Sequence, residues 1–470
     1  MRILRNIFVL AIGVAAAEAA DRIPNDIRDH IKQRVEQGDS VGVVMCFVDE
    51  HGSCCLSEGV LSKDSERRVD EKTVFEIGSI TKAFTGTLLA DMVLRGEVAL
   101  DDPVQKYLPD GAKMPTRAGK QITLRDLSTH RSSLPRLPDN LEPADLDNPY
   151  ADYTEKRLLD FLSKHELTRD IGEKYEYSNL GVGLLGYALA RKAGKPYEQL
   201  VVERVCSPLG MKDTRVTLAD DMKPRLAKGH SGGKQVKNWD LDALAGAGAL
   251  RSTPLDMVNL IEANLKPADS PISKALRASY KDRVETGTPD LSIGLGWHIW
   301  KKHGTEIIWH NGGTGGYRSA CGFAPDKKLG VVVLTNSDFD LDGVMLHALE
   351  PKFELPAVKQ AAKVAGAALD DFLGYYELRP EVIIHITREG DQLFAQLTGQ
   401  PTFPVFAESE SKFFFKVVDA QLSFVRGADG KVNQLILHQN GDHKCEKLKD
   451  YKPPVQVEVP VDPKILETYV

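Results

Sequence analysis

Two kinds of hydrophobic pattern divide the chain. Asp26 to Gln37 repeats its apolar residues at helical spacing and predicts an amphipathic helix. Val41-Gly42-Val43-Val44-Met45-Cys46-Phe47-Val48 is almost continuously apolar, as a buried strand must be. Ser53 to Val60 reads as its hairpin partner across a turn at Asp49 to Ser53. Helical patterns then dominate from Ser79 to about Leu209, including Ala83 to Leu94, Leu124 to His130, Lys156 to His165 and Gly181 to Ala193. Strand patterns return at Leu295 to Trp300, Glu306 to His310, Ser319 to Ala324 and Gly330 to Thr335. Strands at both ends with helices between them predict a sheet joined from N- and C-terminal segments and covered by an inserted helical region. That is an α/β plus all-α arrangement.

The pattern changes after about Leu349. Residues 351–368 are rich in Lys, Ala and Val and read as a linker or docking helix. From Leu369 to Leu448 short alternating runs take over: Val382 to Ile386, Gln392 to Leu397, Phe413 to Val417, Leu422 to Val425 and Val432 to Leu437. Turn signals such as Glu389-Gly390-Asp391 and Ala428-Asp429-Gly430 separate them. They predict a small antiparallel, barrel-like β domain over 369–450, with a tail at 451–470. The sheet-and-helix region before it occupies 20–350.

Composition changes this picture little. The 470 residues suggest about two to four domains, and 42% hydrophobic with 27% charged residues describe a soluble globular protein. A net charge of −7 without a basic run argues against nucleic acid as a partner. The N-terminus changes it more. Arg2 and Arg5 precede a short apolar core, Ile7 to Ala17, and Ala17-Glu18-Ala19 fits a small-x-small cleavage site. A signal peptide over 1–19 is therefore expected, with an exported, periplasmic or secreted product that has no membrane span. Six cysteines are too few for a disulfide-built scaffold, but Cys46 and the Cys54-Cys55 pair flank the first hairpin turn, so one bridge can form there. The twelve histidines are scattered and no Cys-x-x-Cys or His-Glu-x-x-His occurs, so neither a metal nor a cofactor is expected.

The candidate chemistry begins at Phe75-Glu76-Ile77-Gly78-Ser79-Ile80-Thr81-Lys82. Serine and lysine three apart share a helix face, and here the serine opens the apolar helix. A hydroxyl nucleophile, an amine beside it and a helix N-terminus together suit acyl-enzyme formation. Two other Ser-x-x-Lys copies, Ser231/Lys234 and Ser409/Lys412, open no apolar helix and read as turns. Gly229-His230-Ser231-Gly232-Gly233 also has the Gly-x-Ser-x-Gly form, but it follows no apolar strand. Tyr177-x-Asn179, just before a Gly-rich helix start, offers a second proton handler. A tyrosine near ammonium groups is expected to have a lowered pKa. Trp309-His310-Asn311-Gly312-Gly313 offers a strand whose glycines let a substrate approach the backbone.

Ser-x-x-Lys, Tyr-x-Asn and His-x-Gly in this order resemble the penicillin-recognising serine hydrolases. The similarity is to the class C β-lactamase and D-alanyl-D-alanine carboxypeptidase group with its family VIII esterase relatives. Flanking runs agree: Leu127 to Pro135, Ala247 to Thr253 and Gly294 to Trp297. The resemblance covers about Asp26 to Leu349, and the C-terminal segment looks like a small β domain often appended to such proteins. It implies an antiparallel sheet flanked by helices. It also implies that Ser79 is the nucleophile and Lys82 its activating partner. Tyr177 becomes general base or acid, and Asn179 a partner of substrate or lysine. The N–H groups of Ser79 and Gly313 form the oxyanion hole beside His310, and Asn311, Gly312 and Arg318 meet the substrate.

One departure bears on the substrate. The β-lactamases of this group usually carry Lys-Thr-Gly where this chain has His310-Asn311-Gly312. A histidine is mostly neutral at pH 7, so a fixed positive charge is missing, and Arg318 offers a replacement. Turnover of an ester or a D-amino-acid peptide is therefore favoured. A class C-like β-lactamase, or a penicillin-binding sensor without turnover, are the other readings of the same motifs.

Overall fold

A computed structural model describes residues 22–358 and, from there to 451, all but 359–361, 363, 365, 381, 399–401, 416–419, 440 and 450. The leader expected at 1–19, and the expected tail apart from Tyr451, lie outside the described residues. The chain forms two compact units, one reaching Ser337 and including Leu341–Pro356, the other made of Asp338–Asp340 and Ala357 onward.

The first unit is built on an eight-stranded antiparallel sheet. Its strands are β1 (Gly42–Asp49), β2 (Gly52–Gly59), β3 (Val284–Glu285), β4 (Leu291–Ile293), β5 (His298–Lys302), β6 (Thr305–Thr314), β7 (Tyr317–Ala324) and β8 (Leu329–Thr335). They lie in the order β2-β1-β8-β7-β6-β5-β4-β3. The N- and C-terminal parts of the unit meet where β1 pairs with β8, from Val43 opposite Thr335 to Val48 opposite Gly330. β1 is buried from Gly42 to Val48, which is why its sequence does not alternate. Cys46 stands directly opposite Cys55 in the β1–β2 hairpin, and those two form the disulfide. Cys54, on the alternate face, is free.

Helices cover the sheet and fill the insertion. α1 (Asn25–Glu36) packs on β1 and β2. α2 (Thr81–Leu94) is buried from Thr81 to Met92, which fits its all-round apolar sequence. Around it stand α3 (Asn179–Ala193), α4 (Ala245–Gly248) and α5 (Pro271–Lys281). α6 (Asp342–Leu349) packs on β7 and β8.

One expectation needs correction. The strand expected from Leu295 starts only at His298, because Gly294–Trp297 is a turn with Gly294 N–H on the Trp297 carbonyl. That turn presses on α2: a Cβ on Gly296, whose φ is +81°, would stand 2.3 Å from the Lys82 carbonyl oxygen. Of the segment 351–368, read as a linker or docking helix, residues 351–358 carry no helix, prolines standing at 351 and 356, and a helical turn runs over Gly366–Leu369.

The second unit contains a closed antiparallel barrel of eight strands. They are β9 (Gly374–Arg379), β10 (Val382–Glu389), β11 (Gln392–Leu397), β12 (Thr402–Ala407), β13 (Lys412–Phe415), β14 (Gln421–Arg426), β15 (Val432–His438) and β16 (Asp442–Lys447). β9 closes on β16 through Tyr376 opposite Lys447. Three strands escaped the pattern reading: β9, β12 and β16. β12 carries Pro404, and β16 buries only Cys445. The barrel interior is filled by side chains, as eight strands dictate: Phe372 stacks on Phe424 at 4.4 Å among Tyr376, Phe413, Leu422 and Leu435.

Candidate active site

Ser79 sits in a single 3₁₀ turn, Gly78–Ile80, that leads directly into α2. Three ties hold this turn. Phe75 and Glu76 pair with Ser252 and Arg251 in a two-stranded ladder, and the buried Glu76 carboxylate meets Arg251 at 3.1 Å. Ile77 donates its N–H to the Leu250 carbonyl, and its own carbonyl accepts from Ser319 Oγ at 2.8 Å. Gly78 adopts φ +47°, and a Cβ there would stand 2.7 Å from Gly313 N. A Cβ on Gly312 would stand 2.9 Å from Ser79 N. Glycine at these positions lets β6 lie against the Ser79 turn, bringing the Ser79 and Gly313 amides to one place.

Lys82 lies one helical turn on and is fully buried. Its Nζ has three neighbours: Ser79 Oγ at 2.9 Å, Asn179 Oδ1 at 2.8 Å and the Ala247 carbonyl oxygen at 2.8 Å. Burial, reinforced by the Arg136 charge, holds its pKa well below an ordinary lysine's. A neutral amine has two N–H groups and one lone pair. The two carbonyl oxygens take the N–H groups, and the lone pair is left for the Ser79 hydroxyl proton.

Ser178 caps α3: its Oγ accepts from Gly181 N–H at 2.8 Å and donates to the Pro135 carbonyl at 2.6 Å. That cap sets Asn179 toward Lys82 on one side and Tyr177 against Ser79 on the other. The Tyr177 ring stacks on His130 at 4.4 Å, with Lys82 Nζ 4.8 Å and the Arg136 guanidinium carbon 5.1 Å from its centroid. Its pKa is pushed up to about 12, not lowered as the sequence suggested. Burial disfavours the phenolate more than Ser79 and the Arg136 cation favour it.

β6 brings His310 to within 6.3 Å of the Tyr177 ring, centroid to centroid. His310 is fully buried, and burial with the nearby His298 and Lys82 pushes its pKa well below 6.5, so it is neutral. Asn311 faces the other way. Its amide donates to Asp342 Oδ2 at 2.6 Å, at the start of α6, because successive strand residues alternate faces. The side chain of Asn311 is thus not among the groups gathered at Ser79, contrary to expectation. Arg318 pairs with Gly313 across β6 and β7, and a Cβ on Gly313 would lie 2.5 Å from its guanidinium. Ser231 is elsewhere in kind: it is exposed in a two-stranded hairpin, His230–Ser231 with Lys234–Gln235, that opens no helix.

Four groups at the site had no role in the sequence reading: the Ala247 carbonyl, His130, His298 and Arg136. His130 accepts the Ser178 N–H at Nδ1, 3.0 Å, and His298 Nε2 meets the Tyr175 hydroxyl at 3.1 Å. Burial holds His130 well below 6.5 and His298 at about 4. Among the described residues, His130 Nε2, His298 Nδ1 and His310 Nε2 are buried without a hydrogen-bond partner. His130 and Ala247 lay inside family-like runs, which was their only signal. His298 and Arg136 had none.

Residues 27–349 match the beta-lactamase family, and residues 358–450 match a domain of unknown function, DUF3471. The D-alanyl-D-alanine-carboxypeptidase/endopeptidase AmpH of Escherichia coli K12 is 32% identical over 334 residues, 67% of this chain and 84% of that protein. A beta-lactamase of Pseudomonas fluorescens is 27% identical over 354 residues, 67% of this chain and 94% of that protein. Among solved structures, a beta-lactamase/D-alanine carboxypeptidase from Yersinia pestis complexed with citrate superposes with a TM-score of 0.60 at 28% identity, covering 69% of this chain and 93% of that one.

Proposed function

Because this chain belongs to the beta-lactamase family of serine hydrolases, we propose that it cleaves D-amino-acid peptides and related esters through an acyl-enzyme on Ser79. The observation that carries this reading is the buried Lys82 amine, 2.9 Å from Ser79 Oγ with its other neighbours already acceptors. Neutral Lys82 takes the hydroxyl proton as Ser79 attacks the carbonyl. The Ser79 and Gly313 amides receive the charge that develops on the carbonyl oxygen. Tyr177, held protonated by burial, hands its proton to the leaving group and recovers it as water attacks the acyl-enzyme. Asn179 keeps Lys82 in register. His310 and Gly312 line the strand edge along which the substrate lies, and Arg318 stands beside Gly313.

The D-peptide or ester reading is preferred to β-lactam turnover because His310 is neutral where a lysine would supply charge. The 32% identity to a D-alanyl-D-alanine-carboxypeptidase, against 27% to a beta-lactamase, points the same way. We also place the protein outside the cytoplasm. The Cys46–Cys55 disulfide suits an oxidising compartment, the leader reading suits export, and among the described residues no helix is long and apolar enough to cross a membrane.

The test uses purified protein with N-acetyl-D-alanyl-D-alanine, p-nitrophenyl butyrate and nitrocefin in parallel. Peptide or ester cleavage with negligible nitrocefin turnover is expected. Rapid nitrocefin hydrolysis would identify a β-lactamase instead, and a stable nitrocefin-derived acyl adduct without turnover a sensor. Ser79→Ala is expected to lose at least about 10³-fold in kcat, and Ser231→Ala to lose nothing measurable. Turnover by Ser79→Ala would sink the assignment.

A further inference from the structure

We propose that Arg136 is a specificity-determining residue that binds a carboxylate of the substrate at the Ser79 site. This deepens the reading above and rests on it. Arg136 lies in the layer of side chains that surrounds the reacting groups: its guanidinium carbon is 5.1 Å from the centroid of the Tyr177 ring, whose face Lys82 Nζ approaches to 4.8 Å.

The backbone fixes the cation there. The Pro135 carbonyl accepts from Ser178 Oγ at 2.6 Å, and the Arg136 carbonyl accepts from Leu180 N–H at 3.1 Å, so Arg136 is clamped to the first turn of α3. Its head is not committed. Among the described residues the Arg136 guanidinium makes no hydrogen bond and no ion pair, and it lies over the Tyr177 ring. Neighbouring arginines behave differently. Arg131 donates to the Gly172 carbonyl, Arg169 meets Glu176 at 2.7 Å and Arg251 meets Glu76. A half-buried guanidinium has five donors to satisfy, and leaving them bare is unfavourable.

Among the described residues none supplies the missing anion. The gathered side chains are serine, lysine, tyrosine, asparagine and histidine. Glu76 and Glu176, the carboxylates nearest in sequence to Ser79 and Tyr177, are held by Arg251 and Arg169, and Asp139, three residues beyond Arg136, is exposed and makes no ion pair with it. The Arg136 charge is instead felt by Lys82, His130, Tyr150, Tyr175 and Tyr177. A cation that disfavours protonation of the base must be balanced when substrate arrives. A substrate carboxylate pairs with the planar fork and completes the charge balance that neutral His310 does not provide.

Two matched pairs test this with the full chain: N-acetyl-D-alanyl-D-alanine against its C-terminal amide, and p-nitrophenyl hydrogen succinate against p-nitrophenyl butyrate. Wild-type protein is expected to favour the anionic member of at least one pair, less so as salt is raised. Arg136→Ala is expected to raise KM for that member about tenfold or more beyond its effect on the neutral partner, with Arg136→Lys recovering part of the loss. Arg136→Gln, which keeps the stem and donors but not the charge, serves if the alanine variant does not fold. Where turnover is slow, calorimetric Kd ratios measured on Ser79→Ala protein read the same contrast. Equal losses on both members, or no wild-type preference in either pair, would overturn the proposal. Turnover that survives Ser79→Ala would instead overturn the underlying site, so the two failures are distinguishable.

Discussion

Lys82 and Tyr177 occupy the same buried cluster, yet burial sends their pKa values in opposite directions. An ammonium loses its proton more readily when desolvated, and a phenol keeps its proton more firmly. In the proposed mechanism one group is therefore able to accept a proton and the other able to give one. The consequence is measurable with p-nitrophenyl butyrate. The kcat/KM profile is expected to rise with pH as Lys82 deprotonates, with an apparent pKa well below the ordinary lysine value of about 10.4. Removing the Arg136 cation lets the ammonium persist to higher pH, so Arg136→Ala should move that limb upward. His130, His298 and His310 stay neutral through pH 6 to 7, and replacing His298 by Gln should leave the position of the limb unmoved to within a few tenths. A profile set by an ordinary histidine near 6.5 would contradict this assignment. The motif residues themselves were legible in the chain. The direction of the Tyr177 shift was not, because neighbouring cations can be guessed from composition while burial cannot.

At the scale of elements, the Ser79 turn is positioned by partners that arrive from far along the chain. The Phe75–Glu76 ladder to Arg251–Ser252 joins segments about 175 residues apart and carries a buried ion pair, its side chains only 3% and 9% exposed. Asn238 and Trp239 N–H add donors to Glu76. Arg251→Leu strands a buried carboxylate and should cost about 3–5 kcal/mol, read as a lower denaturant midpoint and Tm. Adding Glu76→Gln should recover part of it. If Arg251→Leu is as stable as wild type, the pair does not hold the turn. Hydrophobic pattern located α2, β1, β7 and β8 because their burial is nearly complete. It missed short β3 and β4, which have few apolar residues to announce them, and began β5 too early because the Gly294–Trp297 turn is apolar for packing against α2 rather than for pairing. His310 and Asn311 make the same point inside one strand. Both stood in the motif, and only strand alternation separates the one that faces Tyr177 from the one bound to Asp342.

At the scale of the molecule, every side chain of the cluster belongs to the first unit, and the barrel has its own filled core. A chain ending at Pro356 is therefore expected to fold and to hydrolyse p-nitrophenyl butyrate within a few-fold of the full chain. Loss of activity in a folded truncation would assign the barrel a part in catalysis. By itself the sequence determined the β-lactamase-like architecture and singled out Ser79, Lys82, Tyr177, Asn179 and His310 as motif residues, because periodicity and short motifs are local properties. Tertiary structure alone decided which cysteine Cys46 bridges, which way Asn311 turns, how far burial shifts Lys82 and Tyr177, and that Arg136 stands unpaired beside them. Those depend on strand register, on desolvation and on partners about a hundred residues away, none of which is written in the local order of residues.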